Sequence, residues 1–463
     1  MLPVSCEAYK LIHEGAIALA QVEADGIRVD RKYLRAEITK VSIDIANAVC
    51  RIKEDKIYRL WIRRFGKQAN IGSRQQLGKI LFEDMGLECC QRTQTGRPAI
   101  TQETLQDTKL PFVVDYLQYQ KLIKVRSTYL YGILREVDPD GFLHPFYNLH
   151  IAQTYRSSCD SPNFQNIPVR DEQMMQMVRR AFLPRPGNQL IEVDYSGAEV
   201  ASATCYHHDP TMVEYIVNPA KDMHRDMSRF CYMLKKSDVD KKIRGCGKGM
   251  FVFSQFYGSY YVKNAIALWD AIDELGLCKP DGTSLHKHLR RKGIRERGAC
   301  TGGEPPAPKT FEAHIKAVED YFWNDLFPVY AQWKRDWYAE YLRTASFETL
   351  TGFRFEGALD RKKVINYPIQ GTAFHWLLWS LTQVVNKELA KAKMRTRVAG
   401  QIHDSIVSDG PPEERDDYLA LMNHIMTKAI RDHWTWIDVP LTIDADVAPV
   451  GAPWSEKAKY KME

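Results

Sequence analysis

Two short apolar runs, far apart in the chain, constrain it more than any other feature. Gln189-Leu190-Ile191-Glu192-Val193-Asp194 reads as a strand that delivers a carboxylate at its end. Thr396–Ile402 and Ser405–Ser408 read as two strands turning at His403-Asp404, so a second carboxylate sits at a hairpin tip. A further strand is expected at Val439–Ala445. One aspartate at a strand end is ordinarily a cap or turn residue. Two on neighbouring strands can hold two divalent cations about 3.5–4 Å apart, an arrangement that activates a hydroxyl nucleophile and neutralises a leaving group. Magnesium favours a few carboxylates plus substrate phosphate oxygens. Nucleotidyl transfer needs that chemistry.

A cationic segment lies between the two runs: Lys241-Lys242-Ile243-Arg244-Gly245-Cys246-Gly247-Lys248, then Phe253 and Tyr257-Gly258. Arg244 and Lys248 are four apart and share a face if the segment is helical. Two cations on one face suit a triphosphate. The phosphate-loop pattern GxxxxGK[ST] is not satisfied. Gly245, Gly247 and Gly249 each cost a helix roughly 1 kcal/mol relative to alanine, which predicts a pliable helix start.

The 463 residues allow several subdomains. A helix is expected from Asp30, its N-cap, with Leu34, Ile38, Val41, Ile45, Val49 and Ile52 at three- and four-residue steps. A second is expected from Pro111 to Leu134, with proline in the first turn. Together they predict an extended helical subdomain over 31–140, closed by the turn Asp138-Pro139-Asp140-Gly141. Residues 210–270 read as helices, and helices resume at Phe311. Residues 278–309 read as an insertion or exposed loop, ending in Gly302-Gly303-Glu304-Pro305-Pro306-Ala307-Pro308.

Charge matters by its placement. The net charge is only +6, but residues 51–75 hold eight basic side chains against two acidic, and residues 279–297 hold seven against two. Such patches permit a nucleic-acid partner. Ten cysteines without CxxC spacing, among them the adjacent Cys89 and Cys90, fit reduced thiols in a cytoplasmic protein. No run approaches the ~18 apolar residues of a membrane helix, and no signal peptide is evident.

In order along the chain, these segments resemble the polymerase domain of family A DNA polymerases, the DNA polymerase I family. Residues 23–30 resemble the family's entry into the thumb, and 70–82 its thumb-tip motif. Thr154-Tyr155-Arg156-Ser157-Ser158 and Pro162–Pro168 resemble its primer–template segment. Residues 194–199, 244–258 and 401–407 match motifs A, B and C. Residues 221–225 and 366–373 also match. The resemblance implies an α+β right-hand polymerase fold with an antiparallel palm sheet, helical fingers and a helical thumb. It assigns 1–30 as a lead-in, 31–150 as thumb, 151–214 and 356–463 as palm, and 215–355 as fingers with a basic insertion at about 278–309.

The resemblance also implies roles. Asp194, Asp404 and the Tyr195 carbonyl would hold two Mg2+ ions, with Mn2+ as a substitute. Arg244, Lys248 and His224 would meet the incoming deoxynucleoside triphosphate, with Lys248 donating a proton to pyrophosphate. Glu199 would occupy the space of a 2′-hydroxyl, and Tyr257 would stand beside the templating base. Arg156, Asn163, Gln165, Asn366, Gln370 and His403 would line the primer–template duplex. Motif B carries one extra residue. Anchoring on Lys248 puts Val252 against the nucleotide sugar, and anchoring on Tyr257 puts Phe253 there; Phe253 is preferred, with a one-residue bulge.

Four positions depart from the family pattern. Gly197 and Ala198 replace a glutamine and a larger aliphatic residue, Ala201 an arginine, and Ser405 a second acid. Too few residues precede the thumb for a nuclease domain, so neither 3′–5′ nor 5′ nuclease activity is expected from this chain. A lone module, viral for instance, or a fragment would fit, with a separately encoded nuclease or other replication proteins as partners. The basic insertion suits a grip on single-stranded template or a displaced strand. The rival functions are a single-subunit RNA polymerase and a catalytically silent primer–template binding protein.

Overall fold

Strand β1 (Gln189–Tyr195) is the middle of a five-stranded antiparallel sheet. Its order is β2 (Arg397–Ile402), β3 (Ser405–Gly410), β1, β4 (Ile443–Val447), β5 (Ala458–Tyr460). These come from a computed structural model that describes residues 2–89, 92–93, 96–169, 171–302 and 305–462. Cys90 and, in the expected loop, Gly303 and Glu304 lie outside the described residues. Side chains alternate along β1. Ile191, Val193 and Tyr195 are buried, and Glu192 and Asp194 occupy the other face. On the buried side the Tyr195 hydroxyl shares a hydrogen bond with Ser380 Oγ at 3.1 Å, on the helix Arg361–Gln383.

That helix is apolar nearly all round and carries Pro368 in its interior. Proline lacks the N–H that would bond the Val364 carbonyl. Trp337 Nε1 donates to that carbonyl instead, at 3.1 Å. The helix Cys6–Asp25 packs against both Arg361–Gln383 and β2. The lead-in is therefore part of the sheet's core, not a tether.

The strand expected at Val439–Ala445 begins later, at Ile443. Pro440 has no donor for the ladder, so Val439 and Leu441 are buried outside it. The helix expected from Asp30 runs Arg31–Glu54, and the Asp30 carboxylate accepts from the Tyr33 amide at 2.8 Å. Its first turns join the sheet's core through Leu34, Ile38, Val41 and Ile45, and Ile52 joins a separate core with Trp61, Leu77, Phe112 and Tyr116. One long helix thus spans two cores, because its apolar stripe continues past the end of the first. A third core gathers Met223–Tyr232, Tyr261–Glu274 and Phe311–Tyr321.

Residues 278–309 are not a plain loop. They contain a helix, Leu285–Arg291, with Leu285, Leu289 and Ile294 buried in the third core. Three apolar side chains among seven basic ones are too sparse for periodicity to reveal. Among the described residues no helix is long and apolar enough to cross a membrane, and Cys159, Cys205, Cys231 and Cys246 are buried free thiols.

Two buried histidines make the fold acid-sensitive. His375 and His207 are 0% and 5% exposed, and burial pushes both down to about 3. An unfolded histidine takes a proton below about pH 6.5, which the folded one refuses until about pH 3. Stability is therefore full above pH 6.5. It should fall by about 1.4 kcal/mol per pH unit for each histidine as the pH drops toward 3. Urea midpoints at neutral and mildly acidic pH check this; an unchanged midpoint would contradict it.

Candidate active site

The two carboxylates meet at one end of the sheet's central strands. Ser405 on β3 is opposite Asp194 on β1, and the Tyr195 amide donates to the Asp404 carbonyl at 3.4 Å. His403 opens the hairpin tip in a left-handed conformation, φ 52°. Asp194 Oδ1 is buried and has no hydrogen-bond partner among the described residues. Burial and then the Asp404 charge raise the Asp194 carboxyl well above the usual range; burial raises Asp404 as well. A buried, unpartnered carboxylate oxygen is costly unless a cation meets it.

The donor set expected there is two carboxylates and the Tyr195 carbonyl. All are hard oxygens, which suits Mg2+ or Mn2+. Among the described residues no three His, Cys, Asp or Glu side chains form a metal cage, so further ligands would come from substrate and water. Ser405 adds no carboxylate; its hydroxyl donates to the Ile402 carbonyl at 3.1 Å. Asp444, opposite Asp194 on β4, accepts from the Ser196 hydroxyl at 2.8 Å and pairs with Lys459 at 3.3 Å.

The cationic segment folds as the helix Lys241–Cys246, a π-helical turn over Gly247–Val252, and a final turn Phe253–Phe256. A π-helical turn holds one more residue than an α-helical one. Val252 is consequently 0% exposed in the third core, while Phe253 lies partly exposed between His224 and Tyr257, ring centroids 5.5 and 6.5 Å away. Lys248 Nζ is 5.3 Å from the Phe253 ring. Arg244 Nε bonds Asp222 Oδ2 at 2.6 Å, and the same residue caps Met223–Tyr232 by accepting from the Arg225 amide at 3.0 Å. Burial alone would raise the Asp222 carboxyl, but these two hydrogen bonds hold it below its ordinary value. Burial, then Arg244 and Lys248, push His224 down to about 4. It is neutral at pH 7, and its Nδ1 is buried without a partner among the described residues.

Gly247 is the packing hinge of this face. A Cβ there would overlap Ser228 Oγ and lie 2.8 Å from the His224 carbonyl oxygen. Gly249 meets nothing within 4 Å. Gly247→Ala is expected to cost about 1–3 kcal/mol and to displace His224. Gly249→Ala should stabilise by up to about 1 kcal/mol. Thermal melts of the two variants decide it, and equal melts would sink the packing account.

Glu199 links three segments. It stands in the first turn of Ala198–His207, bonded by Arg156 at 3.0 Å and by the Tyr257 hydroxyl. Asn366, Gln370, Glu199, Phe253, Tyr257 and Tyr330 share the lining of one small pocket. Gly371 lets Arg361–Gln383 approach the Arg156 segment, since a Cβ there would be 2.8 Å from the Thr154 carbonyl oxygen. Asn163 caps the turn Phe164–Asn166, accepting from the Asn166 amide at 3.1 Å. Gln165 faces inward and donates to Ser157 Oγ and Gln401 Oε1, each at 2.7 Å. Gln401 Nε2 in turn donates to the His403 carbonyl at 2.7 Å.

The sequence placed Asp222, Ser157 and Gln401 inside matching segments but gave none of them a role. Asp222 was legible only as a helix cap. Gln401 is a polar residue in an apolar strand, a signal available beforehand.

The family model for DNA polymerase family A matches residues 35–268 and 336–456. The unmatched stretch between them contains the basic insertion. The chain is 28% identical over 453 residues to DNA polymerase I of Chloroflexus aurantiacus, covering 96% of this chain and 42% of that protein. It is 26% identical over 423 residues to the thermostable DNA polymerase I of Thermus aquaticus, covering 88% and 44%. It is 26% identical over 474 residues to the DNA polymerase of Bacillus phage SP01, covering 89% and 46%. The chain thus spans less than half the length of these relatives. The polymerase domain of Pol1 from M. smegmatis, solved with DNA primer–template and dNTP, superposes with a TM-score of 0.75 at 23% identity, over 96% of this chain and 70% of that one. The fold is the α+β right-hand polymerase fold, and the chain belongs to DNA polymerase family A.

Proposed function

We propose that this chain is a template-directed DNA polymerase that adds deoxynucleotides to a primer 3′ end. One observation carries the proposal. Glu199, five residues beyond the buried Asp194 of the aspartate pair, bonds Arg156 and Tyr257, and Tyr257 ends the helical segment bearing Arg244 and Lys248. In the proposed right hand, residues 31–150 are the thumb, 151–214 and 356–463 the palm, and 215–355 the fingers, with 1–30 leading in.

Asp194 and Asp404, with the Tyr195 carbonyl, would hold Mg2+ together with substrate phosphates. Magnesium bound there supplies charge neutralisation and a more acidic primer hydroxyl. Arg244 offers a planar fork to the triphosphate, and Lys248 a compact charge that can release a proton to pyrophosphate. Neutral His224 can donate one hydrogen bond to a phosphate oxygen without adding charge. Phe253 covers the nucleotide sugar and Tyr257 stands beside the templating base. Arg156, Asn163, Asn366, Gln370 and His403 flank the duplex; Gln165 acts from beneath, through Gln401, on the hairpin tip.

Glu199 would exclude a 2′-hydroxyl by occupying its space. Glu199→Ala is expected to raise ribonucleotide incorporation at least about tenfold relative to deoxynucleotide. Unchanged selectivity would remove Glu199 from that role. The Pol1 polymerase domain aligns over 96% of this chain. We therefore propose that these residues extend primers and leave mismatched 3′ ends uncut.

Magnesium-dependent extension of a primed template, with deoxynucleotides preferred and activity lost in Asp404→Ala, tests the function. Extension with ribonucleotides alone would point to an RNA polymerase. Binding without extension would point to a silent primer–template binder. Shortening of a mismatched primer would refute the nuclease claim.

A further inference from the structure

The basic insertion sorts its charges. Lys279 pairs with Asp238 at 3.6 Å, Arg297 with Asp270 at 3.3 Å, and His286 with Asp273 at 3.1 Å. These pairs tie the insertion to the third core. Lys287, Arg290, Arg291, Lys292 and Arg295 are exposed. Among the described residues, none of the five has a carboxylate within 4 Å or a side-chain hydrogen bond.

The segment carrying them is fixed in place. Leu285, Leu289 and Ile294 anchor it from below. Its entrance is held by the Leu285 amide donating to the Leu277 carbonyl at 3.1 Å. At its exit the Phe311 amide donates to Glu296 at 2.9 Å and the Glu312 amide to Arg297 at 2.8 Å. Five free cations on a rigid unit make a standing positive field. Mobile, solvated charges on a loose loop would not.

An aromatic side chain continues this surface toward the site. Tyr260 is 43% exposed, three residues beyond Tyr257, and a Cβ at Gly302 of the insertion would lie 3.4 Å from its hydroxyl. From there Tyr261–Glu274 leads away for about 20 Å to the anchored helix Leu285–Arg291. Exposed aromatic and cationic groups in succession are what a single strand recognises, by stacking and phosphate contact. The family model does not match this stretch.

We propose that the outer face of residues 285–295 is a phosphate-backbone site for single-stranded DNA ahead of the templating position. It rests on the polymerase function proposed above. The strand's source is either the uncopied template or a strand displaced from it, and both present the same chemistry.

The test is the five-fold variant K287Q/R290Q/R291Q/K292Q/R295Q, which leaves the three buried anchors intact. Binding is measured by anisotropy against salt. The substrates are a primer–template with a template overhang of about two nucleotides, one with about 15, and one with a downstream duplex bearing a 5′ flap of about 15. Binding to the short overhang should be unchanged. On at least one longer substrate the Kd should rise about tenfold or more, and the slope of log K against log salt should fall by roughly 3. Loss on the long overhang assigns the patch to template, and loss on the flap assigns it to a displaced strand. Equal Kd and slope for both proteins on all three substrates would overturn the proposal and leave the polymerase reading intact. No binding of any substrate by the unsubstituted chain would overturn both. If the five-fold variant melts early, Arg291→Glu alone should weaken the same long substrate, and no effect there counts against the site.

Discussion

Asp404→Asn is expected to abolish primer extension while leaving the protein at least as stable as before. The side chain is nearly isosteric, so the hairpin tip and its backbone bond from Tyr195 should persist. Half of the anionic donor set is lost. Its charge acts on both the attacking and the leaving oxygen, so a drop of at least about a thousandfold is expected, roughly 4 kcal/mol in barrier. Stability should move the other way. Two carboxylates are buried beside each other, and one has an oxygen with no partner among the described residues. A neutral amide removes like-charge repulsion and the cost of desolvating an anion. Extension assays and thermal melts in chelator provide the two readouts. Full activity would remove Asp404 from the chemistry, and a much lower melting temperature would make it a structural cap.

Lys248 and Arg244 should separate into rate and binding. Lys248→Ala is expected to lower kcat by about 10²–10⁴, the range for losing a positioned general acid. Lys248→Arg keeps the charge but not the readily released proton, so KM should recover while kcat stays low. Arg244→Ala should instead raise the KM for deoxynucleotide about 10- to 100-fold, the worth of a charge-assisted hydrogen bond. Asp222→Asn tests positioning. It releases the Arg244 fork without removing it, and its effect on KM should be smaller than that of Arg244→Ala. Single-turnover kinetics distinguish these outcomes. Full recovery of kcat by arginine would end the proton-donor role.

The helix at 31–54 was legible because its apolar stripe and its cap are local signals read at a fixed spacing. The strands at 189–195 and 397–410 were legible as short apolar runs bounded by turn residues, again a local signal. The fourth strand was placed early because Pro440 acts through a missing donor, which matters only when a ladder must form. The helix at 285–291 was missed because charge masks its three anchors, and anchors count only against a core that is far away in sequence.

The order of residues alone determined the chemistry available to this protein: two carboxylates ending apolar strands, cations four apart on one helix face, and a basic insertion. Those properties are set by side-chain type and by periods of two and 3.6, which need no partner. Tertiary structure alone decided which groups meet. It placed Asp404 beside Asp194, held Arg244 on Asp222, turned Gln165 inward and Phe253 outward, and left five cations of the insertion unpaired among the described residues. Those outcomes depend on burial and on distances between segments far apart in the chain, and such contacts exist only once the cores have closed.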